Sequence, residues 1–362
     1  MYKNPNFKIN SLDDFVMDTL ELEINNYCNM ACEYCYLKGG YNTNDTDKVF
    51  TRWNELLDLL KNINISKDFT VGFCTGELFL DSRVNLVYNA IKKIDKIKRY
   101  KDIDISYRFF SNGTNYKNII EVLELINDPK TTMSISYDGE LSARHIKPGH
   151  LNEVRDNLEE LSNTKYKDNI IIRYAIYGDV SDFFDTMKYL YDLGYKHIEY
   201  YFVDYWDGYK DKDFINTFTE ELYKVLNFFK DKESDFYNIW KYNNEKNPRP
   251  TCLAGKTLAI NVSGRMGVCS TSLNDKLGLD YDSISIDMAN YKEIPRLFNI
   301  FDKDYILDRT DIGCNKCTNQ LCEDCCSYRS VCANCNIESR KFQQCAIHNA
   351  ELEVYNKIFK EG

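Results

Sequence analysis

The chain has 362 residues with a formal net charge of −10, and 43% of its residues are hydrophobic. This length allows one large domain and a smaller one, and the apolar content supports a folded core. The sequence has no basic block, which argues against nucleic acid as the main partner. It has neither a signal-peptide pattern nor an apolar run that could span a bilayer, so we expect a cytoplasmic protein without membrane partners.

Short apolar, β-branched runs alternate with amphipathic helical segments over the first two thirds of the chain. The six predicted strands are Thr19–Asn25, Phe69–Cys74, Asp104–Phe110, Thr132–Tyr137, Ile170–Ile176 and His197–Phe202. Six strand-then-helix units predict a parallel sheet with right-handed crossovers. Because six strands are too few to close an eight-stranded barrel, we expect an α/β fold built on an open partial (β/α)6 barrel, with its chemistry at the carboxyl ends of the strands.

Helical periodicity predicts the connecting helices. The first is predicted from apolar residues at helical spacing between Val49 and Leu60, after Asp45 and Thr46 as candidate caps. The others are predicted over Arg83–Lys98, Asn118–Ile126, Leu151–Leu161, Asp182–Leu193 and Asp213–Asp231. A polar stretch with two prolines, Asn243–Pro250, is typical of a linker. We therefore expect an N-terminal extension (1–17), a barrel with its connecting helix (18–246) and a cysteine-rich domain (247–362).

Fourteen cysteines are unusual as disulfides in a cytosolic chain, because that compartment keeps thiols reduced. Cys28, Cys32 and Cys35 form a C-x3-C-x2-C array directly after the first predicted strand. Ten more cysteines fall between Cys252 and Cys345. Clustered cysteines in a reducing compartment indicate metal binding. The first array suits either zinc with a fourth ligand from elsewhere or a four-iron cluster with one open iron position.

The array, with an aromatic residue before its third cysteine, resembles the radical S-adenosylmethionine (SAM) superfamily. In that family the open iron of a [4Fe-4S] cluster binds SAM, and reductive cleavage of SAM gives a 5′-deoxyadenosyl radical that abstracts hydrogen from the substrate. The resemblance implies that Cys28, Cys32 and Cys35 hold the cluster. It also implies that Tyr34 or Tyr36 stacks on the adenine of SAM.

Three further turns support the resemblance, since each follows a successive predicted strand. Residues 74–78 (Cys-Thr-Gly-Glu-Leu) are similar to a Gly-Gly-Glu-Pro motif whose backbone and acidic group hold the methionyl ammonium of SAM. Residues 111–114 (Ser-Asn-Gly-Thr) resemble a Thr-Asn-Gly-Thr turn, and residues 134–139 resemble Ser-Leu-Asp-Gly with one residue inserted. Each alone is also a common loop turn. The SAM contacts that the resemblance implies are Thr75, Gly76, Glu77, Ser111, Asn112, Ser136, Asp138 and Arg144.

The C-terminal cysteines resemble a SPASM domain, which holds two auxiliary iron–sulfur clusters. A predicted hairpin, Leu258–Val262 and Arg265–Cys269, follows the first of them, although later spacings depart from the pattern by one residue. The ligands implied for the first cluster are Cys252, Cys269 and Cys335, with Cys314 or Cys317. Those implied for the second cluster are Cys322, Cys325, Cys332 and Cys345. Three C-x2-C pairs would also suit zinc ribbons.

Enzymes of this combined architecture mostly modify ribosomal peptides or proteins. The resemblance therefore implies an oxidoreductase that forms a thioether or carbon crosslink, or another oxidation, in a peptide or protein substrate, with an electron donor of flavodoxin or ferredoxin type. Formylglycine formation is an alternative, but sulfatase maturases have an aspartate base directly after the cysteine that corresponds to Cys269, where this chain has Ser270. Radical modification of a small molecule would use the same core, and a metal-binding protein without catalytic activity would use the same cysteines. The sequence names no catalytic acid or base.

Overall fold

The structure, a computed structural model, describes residues 9–35, 48–141, 150–203, 206–232, 234, 236, 256–273, 285–303 and 337–359. The strands are β1 (Val16–Leu22), β2 (Asn64–Phe73), β3 (Asp104–Ser111), β4 (Thr132–Ser136), β5 (Ile170–Ile176), β6 (Ile198–Phe202), β7 (Thr257–Ile260), β8 (Arg265–Gly267) and β9 (Ile286–Asp287). The helices are α1 (Trp53–Asn62), α2 (Val84–Ile94), α3 (Tyr116–Ile126), α4 (His150–Ser162), α5 (Phe183–Asp192), α6 (Lys212–Phe229), α7 (Ile294–Lys303) and α8 (Ile337–Phe359).

The strands form one sheet in the order β6-β5-β4-β3-β2-β1-β7-β8-β9. Strands β1 to β6 pair in parallel, and β7 adds a further parallel strand beside β1. Strands β8 and β9 continue the sheet in antiparallel pairing. Among the described strands, β6 and β9 lie at the two edges of the sheet and do not pair with each other, so the predicted open partial barrel is confirmed.

The first helix differs most from its prediction. It begins at Trp53, with Arg52 as its N-cap residue, whereas Val49 and Phe50 were predicted to be helical. The segment before it is extended instead, because Val49 forms a β-bridge with Asn25 and the N–H of Phe50 donates to the carbonyl of Ile24 at 3.0 Å. The candidate caps at positions 45 and 46 lie outside the described residues.

The core lies between the sheet and the helices that follow its strands. In β3, Ile105, Tyr107 and Phe109 are buried on the helix side, as alternation along a strand requires. Phe109 stacks on Phe73 of β2 with ring centroids 5.2 Å apart. The opposite face is the inner face of the open partial barrel, and we call the space that it lines the lumen.

The C-terminal hairpin, a name used here for β7, β8 and the adjoining β9, is attached to the barrel by more than strand pairing. The Arg52 guanidinium donates to both carboxylate oxygens of Asp287, at 2.8 and 2.7 Å, and to the carbonyl of Ser263 at 3.1 Å. The predicted domain boundary near residue 247 stays a prediction, because residues 237–255 lie outside the described part of the chain. None of the described helices is both long and apolar enough to cross a membrane.

Candidate cluster and cofactor site

The loop that follows β1 carries the cysteine array. Cys28, Cys32 and Cys35 are each half-buried, and none of the cysteines whose side chains are described forms a disulfide. The N–H of Met30 donates to Cys28 Sγ at 3.4 Å, and the N–H of Cys35 donates to the carbonyl of Cys32 at 3.1 Å. The array therefore lies at the carboxyl end of the sheet, where parallel-sheet proteins place their chemistry.

Three thiolates on one loop have the donor chemistry of an iron–sulfur cluster site, and zinc would accept the same ligands. Among the described residues, no three His, Cys, Asp or Glu side chains are arranged to hold a metal ion. The thiols of Cys28, Cys32 and Cys35 are thus near one another in sequence but are not gathered around one point. The donor set fits a cluster, and binding one requires these thiols to converge.

The turn after β2 lies directly against the start of the cysteine loop. Thr75 has φ +77° and Gly76 has φ +63°, a left-handed conformation that strains a β-branched residue. Thr75 Oγ1 donates to the carbonyl of Asn25 at 3.1 Å. A Cβ on Gly76 would lie 2.5 Å from the carbonyl oxygen of Tyr27. Glycine is therefore required at position 76, whereas threonine occupies position 75 at the cost of strain.

Asn25 organises the entry to the cysteine loop, a role that no motif in the sequence predicted. Its side chain is fully buried, accepts from the N–H of Tyr27 at 3.1 Å and donates to the carbonyl of Tyr27 at 3.0 Å. Such a side-chain-to-backbone turn is typical of asparagine. An asparagine at the end of the first predicted strand was the signal available in the sequence.

Glu77 joins the turn after β2 to the turn after β3. Its side chain is only 1% exposed, and Oε1 accepts from the N–H of Phe79 and from Ser111 Oγ, both at 3.0 Å. Its Oε2 accepts from the N–H of Asn112 at 2.6 Å. These hydrogen bonds show that the carboxylate fixes two turns. Its implied contact with the ammonium of SAM stays a prediction.

A closed ring of side-chain hydrogen bonds ties the turn after β3 to the cysteine loop. Asn112 Nδ2 donates to Asn29 Oδ1 at 2.7 Å, and Asn29 Nδ2 donates to Thr114 Oγ1 at 3.1 Å. Thr114 Oγ1 donates back to Asn112 Oδ1 at 2.8 Å. Asn112 Nδ2 also lies 3.8 Å from Cys28 Sγ. The sequence predicted Asn112 as a site residue but not Asn29, which has no motif of its own.

Tyr34 reaches the end of the sheet beyond β4. Its hydroxyl donates to Asp138 Oδ2, and the N–H of Ala175 donates to Asp138 Oδ1 at 2.9 Å. The Tyr34 ring lies 5.2 Å from the ring of Tyr177. Ser136, the last residue of β4, pairs in register with Arg173 of β5. Tyr34 and Asp138 thus hold each other in place, and stacking of Tyr34 on adenine stays a prediction.

Cys74 follows β2 and lies close to the Thr75–Gly76 turn. Desolvation raises the pKa of its thiol well above the usual range, and the carboxylates of Glu23 and Glu21 raise it further. The thiol is therefore protonated at neutral pH, which is the state of an unreactive cysteine.

The C-terminal hairpin meets the first strand through Glu21. Its Oε2 accepts from the N–H of Ser270 at 2.8 Å. Ser270 directly follows Cys269, which is half-buried and packs against the core. Of the predicted auxiliary-cluster cysteines, Cys269 is the one whose side chain the structure describes. Cys345 lies within α8.

The remaining predicted site residues lie outside the described residues, and their roles stay predictions. They are Tyr36, Arg144, Cys252, Cys314, Cys317, Cys322, Cys325, Cys332 and Cys335.

No protein-family model matches the chain. An uncharacterised protein of Methanocaldococcus jannaschii is 26% identical over 280 residues, which are 72% of this chain and 90% of that protein. A GTP 3′,8-cyclase of Limosilactobacillus fermentum is 24% identical over 188 residues, which are 51% of this chain and 54% of that enzyme.

The fold is shared with solved structures. The structure of anSMEcpe, an anaerobic sulfatase-maturating radical SAM protein with bound AdoMet (SAM), has a TM-score of 0.60 at 15% identity, over 94% of this chain and 99% of that chain. Streptococcus suis SuiB has a TM-score of 0.53 at 12% identity, over 80% of this chain and 66% of that chain. The chain thus has the fold of these proteins, and its C-x3-C-x2-C array lies directly after the first strand of that fold.

Proposed function

We propose that this chain is a radical SAM enzyme that oxidises a side chain of a peptide or protein, forming a thioether or carbon crosslink or a related product. The observation that carries the proposal is the cysteine loop, which hydrogen bonds hold against the turns at Thr75–Gly76 and Asn112. Two structures of the same fold contain peptides: anSMEcpe with the Cp18Cys peptide and SuiB with the precursor peptide SuiA. They support a peptide substrate for this chain.

Cys28, Cys32 and Cys35 would hold a [4Fe-4S] cluster whose open iron binds SAM. When bound and reduced, that pair supplies a 5′-deoxyadenosyl radical that takes a hydrogen atom from the substrate. The protein's own part is to bind the cluster and SAM and to shield the radical chemistry. The left-handed turn at Thr75–Gly76 would bring backbone groups close to the methionyl end of SAM, since a glycine lets a ligand approach the main chain. Tyr34, held by Asp138, would close the side of the pocket towards β5.

Cys269 and the later cysteines are the proposed ligands of one or two auxiliary clusters of the SPASM type. A flavodoxin or ferredoxin would supply the reducing electron. Ser270 lacks the carboxylate that sulfatase maturases have at this position, so crosslinking or another oxidation is favoured over formylglycine formation. Metal analysis separates a cluster from a zinc site, because each cubane cluster contributes about four iron atoms per chain. Zinc in place of iron would contradict the cluster assignment.

The test is an anaerobic reaction of the reconstituted protein with SAM, a reductant and any short peptide encoded beside its gene. The expected result is 5′-deoxyadenosine together with a peptide that has lost two hydrogens. Both should be absent from Cys28→Ala. Cys74→Ala removes a thiol outside the array and should keep the full iron content.

Two further outcomes have a defined meaning. Abundant 5′-deoxyadenosine with an unchanged peptide retains the radical SAM chemistry and rejects that peptide as the substrate. Absence of 5′-deoxyadenosine from a protein with its full iron content contradicts the proposed function.

A further inference from the structure

Arg108 lies in the middle of β3 on the lumen face of the sheet. Its neighbours Tyr107 and Phe109 are buried on the opposite face, where the Tyr107 hydroxyl donates to Asp95 Oδ1 at 2.9 Å. Because successive side chains of a strand point to opposite faces, the half-buried Arg108 side chain projects into the lumen. The influence of its positive charge on the Cys74 thiol agrees with this direction.

Within the part of the chain that the structure describes, the Arg108 guanidinium forms no hydrogen bond and no ion pair. Arg173, on the same face of β5, is different: its Nε lies 3.6 Å from Glu199 Oε2, and its guanidinium lies 4.7 Å from the ring of Tyr201. A half-buried guanidinium has lost part of its hydration, and a carboxylate normally compensates for that loss. Arg108 is therefore a cation that can accept an anionic partner from outside the described protein.

Small residues leave space beside Arg108. The strand register places Gly72 next to Arg108 and next to Glu21, with Ala259 and Gly267 further along the same row. Arg108 and Glu21 are thus two strand spacings apart, about 10 Å between their Cα atoms, and the residue between them in the row is a glycine. Glu21 Oε2 is held by the N–H of Ser270 and not by Arg108. Within the described strands, the row thus keeps a positive and a negative group apart.

This row lies between the two ends of the lumen where the proposed cofactors belong. Cys74, beside the Thr75–Gly76 turn, is two residues beyond Gly72 towards the carboxyl ends of the parallel strands. Cys269 is two residues beyond Gly267, and because β8 is antiparallel, this direction leads towards their amino ends. A substrate that reached both ends would cross the row that contains Arg108.

We infer that Arg108 is a substrate-binding residue whose guanidinium binds a carboxylate of the peptide substrate. The inference rests on the proposed function and adds a substrate class to it. A planar guanidinium binds a carboxylate through two parallel hydrogen bonds. The Glu21 carboxylate lies in the same row, and its negative charge disfavours a doubly charged phosphate more than a singly charged carboxylate. The carboxylate is either an acidic side chain or the C-terminus of the peptide.

The test is affinity selection of short random peptides, supplied as an equal mixture of free-acid and C-terminally amidated forms, on immobilised, cluster-loaded protein, with the bound peptides sequenced by mass spectrometry. We expect the wild-type protein to enrich carboxylate-bearing peptides, and Arg108→Gln to bind them about tenfold to a hundredfold more weakly. Arg108→Lys should bind these peptides with intermediate affinity, because it keeps the positive charge but cannot form the two parallel hydrogen bonds of a guanidinium. Arg99→Gln, which removes an exposed arginine from the 3-10 turn before β3, is the matched control and should bind as the wild type does.

Two synthetic changes in the enriched peptides distinguish the sources of the carboxylate. Loss of binding when Asp or Glu is replaced by Asn or Gln identifies a side chain, and loss on C-terminal amidation identifies the terminus. Either result supports the inference. Equal binding by wild type and Arg108→Gln, or no enrichment of carboxylates on the wild type, overturns it.

Peptide-independent cleavage of SAM separates this inference from the proposed function. If Arg108→Gln still forms 5′-deoxyadenosine and keeps its iron while carboxylate binding is lost, Arg108 acts on the substrate. If Arg108→Gln and Arg108→Lys both lose iron or unfold at a lower temperature, the role is structural and the inference is wrong. If the wild type forms no 5′-deoxyadenosine, the proposed function fails, whatever the peptide selection shows.

Discussion

The Glu77 carboxylate accepts a 2.6 Å hydrogen bond from the backbone N–H of Asn112, and so joins the turn after β2 to the turn after β3. The Asn112 side chain then donates to Asn29 of the cysteine loop. Three successive strand ends are therefore coupled through two residues. A cofactor bound at this end of the sheet would contact one connected unit and not three independent loops.

Replacing Glu77 with glutamine should destabilise the protein. The new side chain has an amide NH2 in place of one carboxylate oxygen. That NH2 would face a backbone N–H or a hydroxyl that, in the wild type, donates a hydrogen bond to the buried carboxylate. A buried donor left without its acceptor costs about 1 to 3 kcal/mol. Urea denaturation of Glu77→Gln at neutral pH measures the loss. Glu124→Gln, on an exposed part of α3, is the control and should unfold as the wild type does. Equal stability of all three proteins would contradict the coupling.

Gly76 and Gly178 form a matched pair for testing close approach at the site. Both have positive φ, +63° and +69°, so alanine adds similar backbone strain at each, about 1 kcal/mol. A Cβ at Gly178 would have nothing within 4 Å, whereas one at Gly76 would lie 2.5 Å from the Tyr27 carbonyl oxygen. We expect Gly76→Ala to cost at least about 2 kcal/mol more than Gly178→Ala, because the backbone must move.

Urea denaturation of the two glycine variants measures the difference in stability, and SAM titration of each measures its affinity for SAM. Gly178→Ala should bind SAM normally, and Gly76→Ala should not. Equal stabilities and equal SAM affinities would show that the turn is free to move away from the cysteine loop.

Asn112→Asp should weaken iron binding. An ionised aspartate cannot donate to Asn29 Oδ1 or towards Cys28 Sγ, and it adds a negative charge close to the three proposed thiolate ligands. Loss of an outer hydrogen-bonding partner typically lowers metal affinity about 10- to 100-fold. Iron content after a chelator titration measures the effect, and Asn89→Asp on the exposed face of α2 is the control. Iron retention as in the wild type would place the cluster away from Asn112.

The strand pattern was readable from the sequence because short runs rich in apolar, β-branched residues alternate with segments of helical periodicity. Ile170–Ile176 was predicted with its observed bounds. The pairing of β7 with β1 was not predicted, since it joins Thr19–Leu22 to Thr257–Ile260 across most of the chain and no local signal specifies a distant parallel partner. The prediction for the first helix failed at Phe50, where a tertiary contact with Ile24 overrides helical periodicity.

The candidate site was predictable where a motif marks it. The cysteine array and the turns at Gly76, Asn112 and Asp138 do lie together at the carboxyl end of the sheet, because parallel register aligns successive strand ends. Asn29 and Arg108 could not be found in this way. Each is an isolated residue whose importance depends on which neighbours the register supplies.

The ion pair between Arg52 and Asp287 should give the attachment of the hairpin a defined pH dependence. The hydrogen bonds from Arg52 hold the pKa of the Asp287 carboxyl below its usual value of 3.8. A carboxyl whose pKa is lower in the folded state contributes stability that is present above the unfolded pKa and is lost as the pH falls through the folded one. Asp287→Asn should therefore reduce the free energy of unfolding at pH 7, and the difference from the wild type should shrink below about pH 4.

Because both side chains are partly exposed, solvent screening limits the loss at pH 7 to about 1 kcal/mol. Asp68→Asn is the control, since the pair between Asp68 and Lys130 is highly exposed and should contribute little at either pH. Urea denaturation of the three proteins at pH 7 and at pH 3 tests the prediction. The difference in the free energy of unfolding between Asp287→Asn and the wild type could instead persist undiminished at pH 3. That result would show that packing, and not charge, holds the hairpin against α1.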